Sequence, residues 1–308
     1  MPDHQPDSFV SGFVSIVGRP NSGKSTLLNA LTGMKLAIVA PKPQATRTTV
    51  QGVVNLPNAQ IVFLDTPGIH KPDTLLNRRM QEAVRAALNE RDLLLLVADA
   101  TLPFSHEDEE AVRRIAGAKT PTLLALNKID RLKDKSVLLE QIDRYRSLHE
   151  FSAYIPISAL TGEGLDVLRQ EILRRLPPGP AFFPPDYVTD QPERFLAAEL
   201  IREKILHHSR QEVPHAVAVA IDQWEESDNL ISIHATIYVE RDGQKAILIG
   251  KGGSMMKKIG TEARLEMEHL LGRKVFLQLF VKVRPHWRQD ARFLDALDWH
   301  SMAGQEAE

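Results

Sequence analysis

The stretch Gly18-Arg-Pro-Asn-Ser-Gly-Lys-Ser25 limits what this chain can fold into more than any other. It fits G-x-x-x-x-G-K-[ST], and its flanks are the ones that pattern requires. The apolar run Phe13–Val17 reads as a buried strand ahead of it, and Ser25–Leu31 reads as a helix start behind it. Glycines at 18 and 23 let backbone N–H groups close around phosphate oxygens where a Cβ would intrude. The helix N-terminus adds partial positive charge. Lys24 can reach terminal phosphates, and Ser25 can offer its hydroxyl to magnesium. The expected cradle is therefore Gly18, Arg19, Pro20, Asn21, Ser22, Gly23, Lys24, Ser25 and Thr26.

Downstream, strands and helices alternate. Val50, Gly52 and Val54 lead through Pro57-Asn58 into Ile61–Leu64, which runs into Asp65-Thr66-Pro67-Gly68. An Asp at the end of a buried strand suits a carboxylate behind a magnesium ion, and Gly68 lets its N–H approach a terminal phosphate. Leu93–Ala98, Pro121–Leu126 and Ala153–Ile157 read as further buried strands. Helices are expected at Leu75–Glu90, Glu107–Ala116, Val137–Leu148 and Leu165–Leu176. The order implies an α/β domain over residues 1–176, a doubly wound, mostly parallel sheet with its ligands at the strand C-terminal ends. Asn127-Lys128-Ile129-Asp130 follows one such strand. A carboxylate at Asp130 can accept both the N1–H and the exocyclic amino group of guanine, a donor pair that adenine lacks. Lys128 would lie over the base, and the turn Ser158-Ala159-Leu160 would give a backbone N–H to the guanine oxygen.

These motifs, as they stand, resemble the translation-factor-like GTPases. The resemblance implies GTP and GDP as ligands, magnesium held by Ser25 and Asp65, and a further magnesium ligand in the loop Gln44-Ala-Thr-Arg47. It points to Thr46, with Thr48 as the alternative. Ras-like relatives carry after Gly68 a Gln that orients water; here the residue is Ile69, whose aliphatic side chain cannot, so intrinsic turnover is expected to be slow. The resemblance also implies that Asn21 helps hold a potassium ion in place of an arginine finger. Lys24, Thr46 and Gly68 complete the expected catalytic set.

The proline-dense segment at residues 177–192 breaks all periodicity and reads as a linker, and Phe182, Phe183 and Tyr187 should fix it to a domain surface. Beyond it the expected order is helix (Glu193–His208), strand (Ala216–Ile221), strand (Leu230–Val239), helix, Gly250-x-x-Gly253, helix (Met255–Leu271) and strand (Val275–Val283). A lone G-x-x-G says little. Between two helices it resembles the loop of a KH domain with its extra elements N-terminal, a smaller α+β fold over 193–292 that clamps about four nucleotides. Gly250, Lys251, Gly252, Gly253, Lys257 and Lys258 would line the RNA site. From Gly250 to Arg288 nine basic residues stand against three acidic ones in a chain of net charge −2, which marks a local basic face. The tail 293–308 carries no readable signal. His207-His208 point to different helix faces, Glu107–Glu110 is an acidic first turn, and Trp224, Trp287 and Trp299 suit core packing better than base stacking.

No cysteine is present, which excludes disulfides and thiolate metal sites, and Met1–Ser8 holds no apolar signal segment. The whole resembles the bacterial ribosome-assembly GTPases that carry a KH domain. That resemblance implies a monomer binding the 3′ end of small-subunit ribosomal RNA and the small ribosomal subunit. It also implies a cytoplasmic location, with peripheral contact at the inner face of the membrane. A pure RNA-binding factor with structural nucleotide is the rival reading. An ATP-dependent enzyme would make Asp130 accidental. Asp130→Asn should weaken GTP binding about 10- to 100-fold and favour xanthosine triphosphate, whose 2-oxo group accepts where guanine donates. Competition binding reads this, and unchanged GTP affinity refutes the assignment.

Overall fold

The computed structural model describes residues 9–42, 44–68, 73–89, 91–118, 120–210 and 213–299. Ile69, the rest of the loop to Pro72 and the end of the tail lie outside them. The described chain forms two units: 9–37, 46–68 and 80–190 make the first, and 38–45, 73–79 and 191–299 the second.

The first unit is built on six strands, β1 (Val10–Val17), β2 (Val50–Leu56), β3 (Ala59–Asp65), β4 (Leu93–Asp99), β5 (Thr122–Asn127) and β6 (Ala153–Pro156). Their order is β2-β3-β1-β4-β5-β6, with only β2 antiparallel to its neighbour. The helices are α1 (Lys24–Thr32), α2 (Leu75–Asn89, of which residues 75–79 belong to the second unit), α3 (His106–Ala116), α4 (Val137–Arg146) and α5 (Leu165–Leu173). The all-apolar text of β4 follows from burial on both faces. Leu93, Leu95 and Val97 join one core with Leu27, Leu28 and Leu168 of α1 and α5. Leu94, Leu96 and Ala98 join the other with Val112, Ile115 and Leu138 of α3 and α4. Because β1 has β3 on one side and β4 on the other, the winding reverses at β1. The crevice at its C-terminal end is where such sheets bind ligands.

Helix α5 stops three residues short of the expected end, because Pro177 and Pro178 forbid further helix. The proline-dense segment then lies along this unit. Gly179 N–H donates to Phe9 O, Val53 N–H donates to Val188 O at 2.7 Å, and the Gln60 side chain binds the backbone of Phe182 and Phe183. Phe182 packs on Phe13, and Phe183 stacks on Tyr187 with ring centroids 4.5 Å apart.

The second unit contains α6 (Glu193–His208), α7 (Val213–Ala216), β7 (Ala218–Glu226), β8 (Leu230–Val239), α8 (Asp242–Ile249), α9 (Ser254–Leu271), β9 (Lys274–Val283) and α10 (Ala291–Leu297). Its sheet order is β7-β8-β9, antiparallel and then parallel. The parallel pair requires the crossover that α8 and α9 supply. Ile231, Ile233, Ala235, Ile237 and Val239 of β8 are wholly buried beneath α6 and α9. The expected strand start at Ala216 is instead the one-turn helix α7, with Pro214 in its first turn. Helix α6 buries Arg202 and Glu203 together with its apolar residues. The reason is that segment 38–45 covers its other side, with His207 bonded to Val39 O and Arg202 donating to the carbonyls of Gln44 and Ala45. Helix α10 closes a satellite core of Ala218, Trp287, Phe293 and Leu294, and Trp287 Nε1 donates to Ala216 O at 2.9 Å. Among the described residues no helix is long and apolar enough to cross a membrane.

Candidate nucleotide and RNA sites

The C-terminal ends of β1, β3, β4 and β5 bring Gly18, Asp65, Asp99 and Asn127 to one edge of the sheet. At its centre Lys24 is buried, its ammonium donating to the carbonyls of Gly18 and Arg19 at 3.1 and 3.0 Å. Burial pulls the Lys24 pKa down, and the nearby Asp65 carboxylate pulls it up. Asp65 is pushed up to about 6 by burial, against the opposing pull of Lys24, Ser25, Thr46 and the Thr66 N–H. Ser25 Oγ donates to Asp65 Oδ2 at 2.7 Å and lies 2.9 Å from Thr46 Oγ1, so the three expected magnesium residues meet at one point. The other carboxylate oxygen, Asp65 Oδ1, is buried without a hydrogen-bond partner. Two hydroxyls and one carboxylate with an unsatisfied buried oxygen are a hard-donor set that fits magnesium better than a softer ion.

Asn127 fastens three loops together. Its Oδ1 accepts the N–H groups of Lys128 and Ala159, and its Nδ2 donates to Ser22 O at 2.9 Å. Gly23 sits directly against it: a Cβ there would lie 2.2 Å from Asn127 Nδ2, and the φ of +100° is one that L residues rarely adopt. Gly68 likewise lies against Pro20, and Thr66 Oγ1 donates to Ile16 O. Lys128 Nζ binds Asp99 Oδ2 at 2.6 Å and Asn21 O at 2.7 Å, which fixes its stem across the mouth of the loop. Asp130 is exposed, with Oδ1 accepting from Ser158 Oγ at 2.6 Å, so the carboxylate is oriented and still open to solvent.

Several expected groups are placed differently. The Arg19 side chain does not face the cradle. It is buried and donates to Asp108 Oδ2 at 2.9 Å, and Tyr145 OH donates to the other oxygen of that carboxylate. Only the backbone of Arg19 serves the loop. The Asn127 amide is likewise engaged internally. Ser158 N–H donates to Glu163 O and Ala159 N–H to Asn127, which leaves Leu160 N–H as the outward donor of that turn. Asn21 is exposed at φ 62°, and Thr26 is half-buried on α1. Asp108 escaped the sequence reading as anything beyond helix-start acidity. The signal available was the capping pair Ser105-x-x-Asp108.

In the second unit the glycine loop links α8 to α9. Gly250, Gly252 and Gly253 all have positive φ, and nothing lies within 4 Å of a Cβ built at Gly252 or Gly253. Lys251, Lys257 and Lys258 are exposed around it. The basic face is narrower than its composition implies. Arg264 and Lys274 pair with Glu268, Arg273 with Glu226, Arg284 with Asp290 and Arg288 with Glu240. Lys251, Lys257, Lys258 and Lys282 remain outside such pairs among the described residues.

Residues 13–128 match the family described as 50S ribosome-binding GTPase, and residues 212–288 match the KH domain. The chain is 50% identical to GTPase Era of Geobacter metallireducens over 293 residues, covering 94% of this chain and 98% of that protein. It is 50% identical to GTPase Era of Syntrophus aciditrophicus over 288 residues, covering 93% and 94%. A crystal structure of Era with MgGDPNP and nucleotides 1506–1542 of 16S ribosomal RNA superposes with a TM-score of 0.91 at 43% identity, covering 94% of this chain and 99% of that one. A variant of Aquifex aeolicus Era bound to GDP and AlF4− matches equally well, with a TM-score of 0.91 at 43% identity.

Asp108→Ala tests the buried pair behind the loop. It strands the Arg19 guanidinium and should destabilise the first unit by about 3–5 kcal/mol. Urea unfolding measures this; a change below about 1 kcal/mol would show that Arg19 relaxes to solvent.

Proposed function

The chain belongs to the Era family of GTPases, and from that premise we propose that it is a GTP-driven switch that binds the 3′ end of 16S ribosomal RNA and assists assembly of the small ribosomal subunit. The observation that carries this reading is the presence in one chain of a buried Lys24 beside the meeting point of Ser25, Thr46 and Asp65, and of an open glycine loop with Lys251, Lys257 and Lys258 exposed around it.

In this reading GTP lies on the N–H groups of Gly18–Thr26, with Lys24 at the β- and γ-phosphates. Asp130 and Leu160 N–H select guanine, and the stem of Lys128 covers the base. Ser25 and Thr46 would hold magnesium with Asp65 behind them; that ion, when bound, neutralises charge on the phosphates. Gly68 N–H faces the γ-phosphate. With Ile69 after it, no side chain at that position can orient water, so turnover without a partner is slow, on the order of 10⁻⁴–10⁻³ s⁻¹. We place potassium beside Asn21, whose exposed side chain stands at the tip of the loop in a left-handed conformation. Replacing potassium by sodium should then lower the rate, and Asn21→Ala should abolish the difference; equal rates in both salts for the parent would remove potassium from the account.

RNA is placed at the glycine loop, where the positive φ angles and open space at Gly252 and Gly253 permit close approach of a sugar-phosphate backbone. Changing Lys251 and Gly252 together to Asp should reduce affinity for a 16S 3′-end oligonucleotide at least about tenfold while leaving GTP affinity unchanged. Fluorescence anisotropy with both ligands measures this, and undiminished RNA binding would locate the RNA site elsewhere.

A further inference from the structure

Strand β9 is an edge of the second unit's sheet, and its two faces differ. The inward residues Val275, Leu277, Leu279, Val281 and Val283 join the core. The outward residues are Lys274, Phe276, Gln278, Phe280 and Lys282, all exposed. An outward face of an antiparallel or mixed sheet is ordinarily polar. Here Phe276 and Phe280 are 51% and 44% exposed, with an amide between them and a cation at each end. On β8 their cross-strand neighbours are Ser232 and Thr236, too small to cover the rings. His234, opposite Gln278, adds a third ring on the same face, 6.3 Å from Phe276. The open face ends at Tyr238, which Phe293 of α10 covers at 4.8 Å. Lys282 has no ion-pair partner among the described residues, and Lys274 meets Glu268 at 3.2 Å while its side chain is 77% exposed.

We propose that the outward face of β9 is a second RNA-binding surface. On it, bases of a single strand stack on Phe276 and Phe280 while Lys282, outside any ion pair among the described residues, takes a flanking phosphate. Each feature answers one demand of such a ligand. Every base has a π-face, so exposed rings bind single strands with little regard to sequence. The Lys282 ammonium meets the backbone charge. Gln278 offers both a donor and an acceptor to a base edge. An apolar protein surface laid on the same face would desolvate the Lys282 ammonium and the Gln278 amide with nothing to pair them, which is costly. From Lys274 to Lys282 the strand runs roughly 26 Å, room for more than one nucleotide. Helices α8 and α9, which carry the glycine loop, both pack against β9. RNA held at that loop can therefore continue around the sheet edge onto this face. The proposal rests on the glycine-loop reading above.

The test uses the full chain and two single-stranded RNAs. One of about four nucleotides fills the glycine loop alone, and one of about twelve also reaches the sheet. Phe276→Leu with Phe280→Leu keeps apolar bulk and removes the rings. Affinity for the long RNA should fall about fivefold or more per ring, with the short RNA unaffected. Unchanged long-RNA affinity overturns the platform. So does a Phe-dependent change in sedimenting mass without a change in RNA affinity, which would make this face a contact between copies of the chain. If the double variant loses both RNAs equally, its fold is damaged, and Lys282→Ala takes its place. That change should weaken only the long RNA and reduce its log–log salt slope by about 0.7; an unaltered slope overturns the proposal. The Asp pair at Lys251 and Gly252 should weaken both RNAs. If it weakens neither, the glycine-loop reading fails independently of the platform.

Discussion

The nucleotide site depends on one buried amide. Asn127 accepts from two backbone N–H groups and donates to Ser22 O, and in doing so fixes the phosphate loop, the Asp130 turn and the 158–160 turn to each other. Lys128 Nζ on Asn21 O and Ser158 Oγ on Asp130 Oδ1 reinforce the same register. Gly23 is the counterpart of that amide, since any side chain there would occupy its place. The Arg19–Asp108–Tyr145 cluster does the same from behind, anchoring the loop to α3 and α4 through a buried charge pair that is costly to open. The site is thus preorganised by groups that do not touch the ligand, which is why two side chains from the motif itself, Arg19 and Asn127, turn inward.

The second unit makes a comparable commitment with Arg202. This guanidinium is only 2% exposed and divides its donors between Glu199 and the carbonyls of Gln44 and Ala45. Gln44 is held in addition by Asn77 and His215, and Gln289 accepts from Leu75 N–H. A buried guanidinium that lost its carbonyl acceptors would have to find others or water. Ala45 directly precedes Thr46, the expected third magnesium residue, in the chain.

The motifs were legible because their chemistry is local. Gly18, Asp65 and Asn127 each stand at the end of an apolar strand, and the apolar run of β4 announces burial on both faces. The order of elements around Gly250 and Gly253 revealed the second fold in the same way. What escaped depends on partners remote in sequence. Asp108 is an ordinary acidic helix start until Arg19 is seen 2.9 Å away. Arg202 reads as a solvated helix residue until segment 38–45 closes over it. Five of the basic residues between Gly250 and Arg288 are neutralised by acids that composition cannot pair with them. The outward Lys-Phe-Gln-Phe-Lys alternation of β9 is visible in the sequence, yet which face is inward follows only from the packing of α8 and α9. Helix α10 gave no signal because its apolar residues complete a core around Trp287 that belongs to other elements.

The central claim is that nucleotide state and RNA binding are one equilibrium. The direct measurement is the affinity of the full chain for a 16S 3′-end oligonucleotide with a non-hydrolysable GTP analogue bound and with GDP bound. The account predicts tighter RNA binding with the analogue by a factor between about 5 and 150. Bound RNA should raise the preference for the analogue over GDP by the same factor. Identical RNA affinities in the two nucleotide states would contradict it and leave two independent sites on one chain.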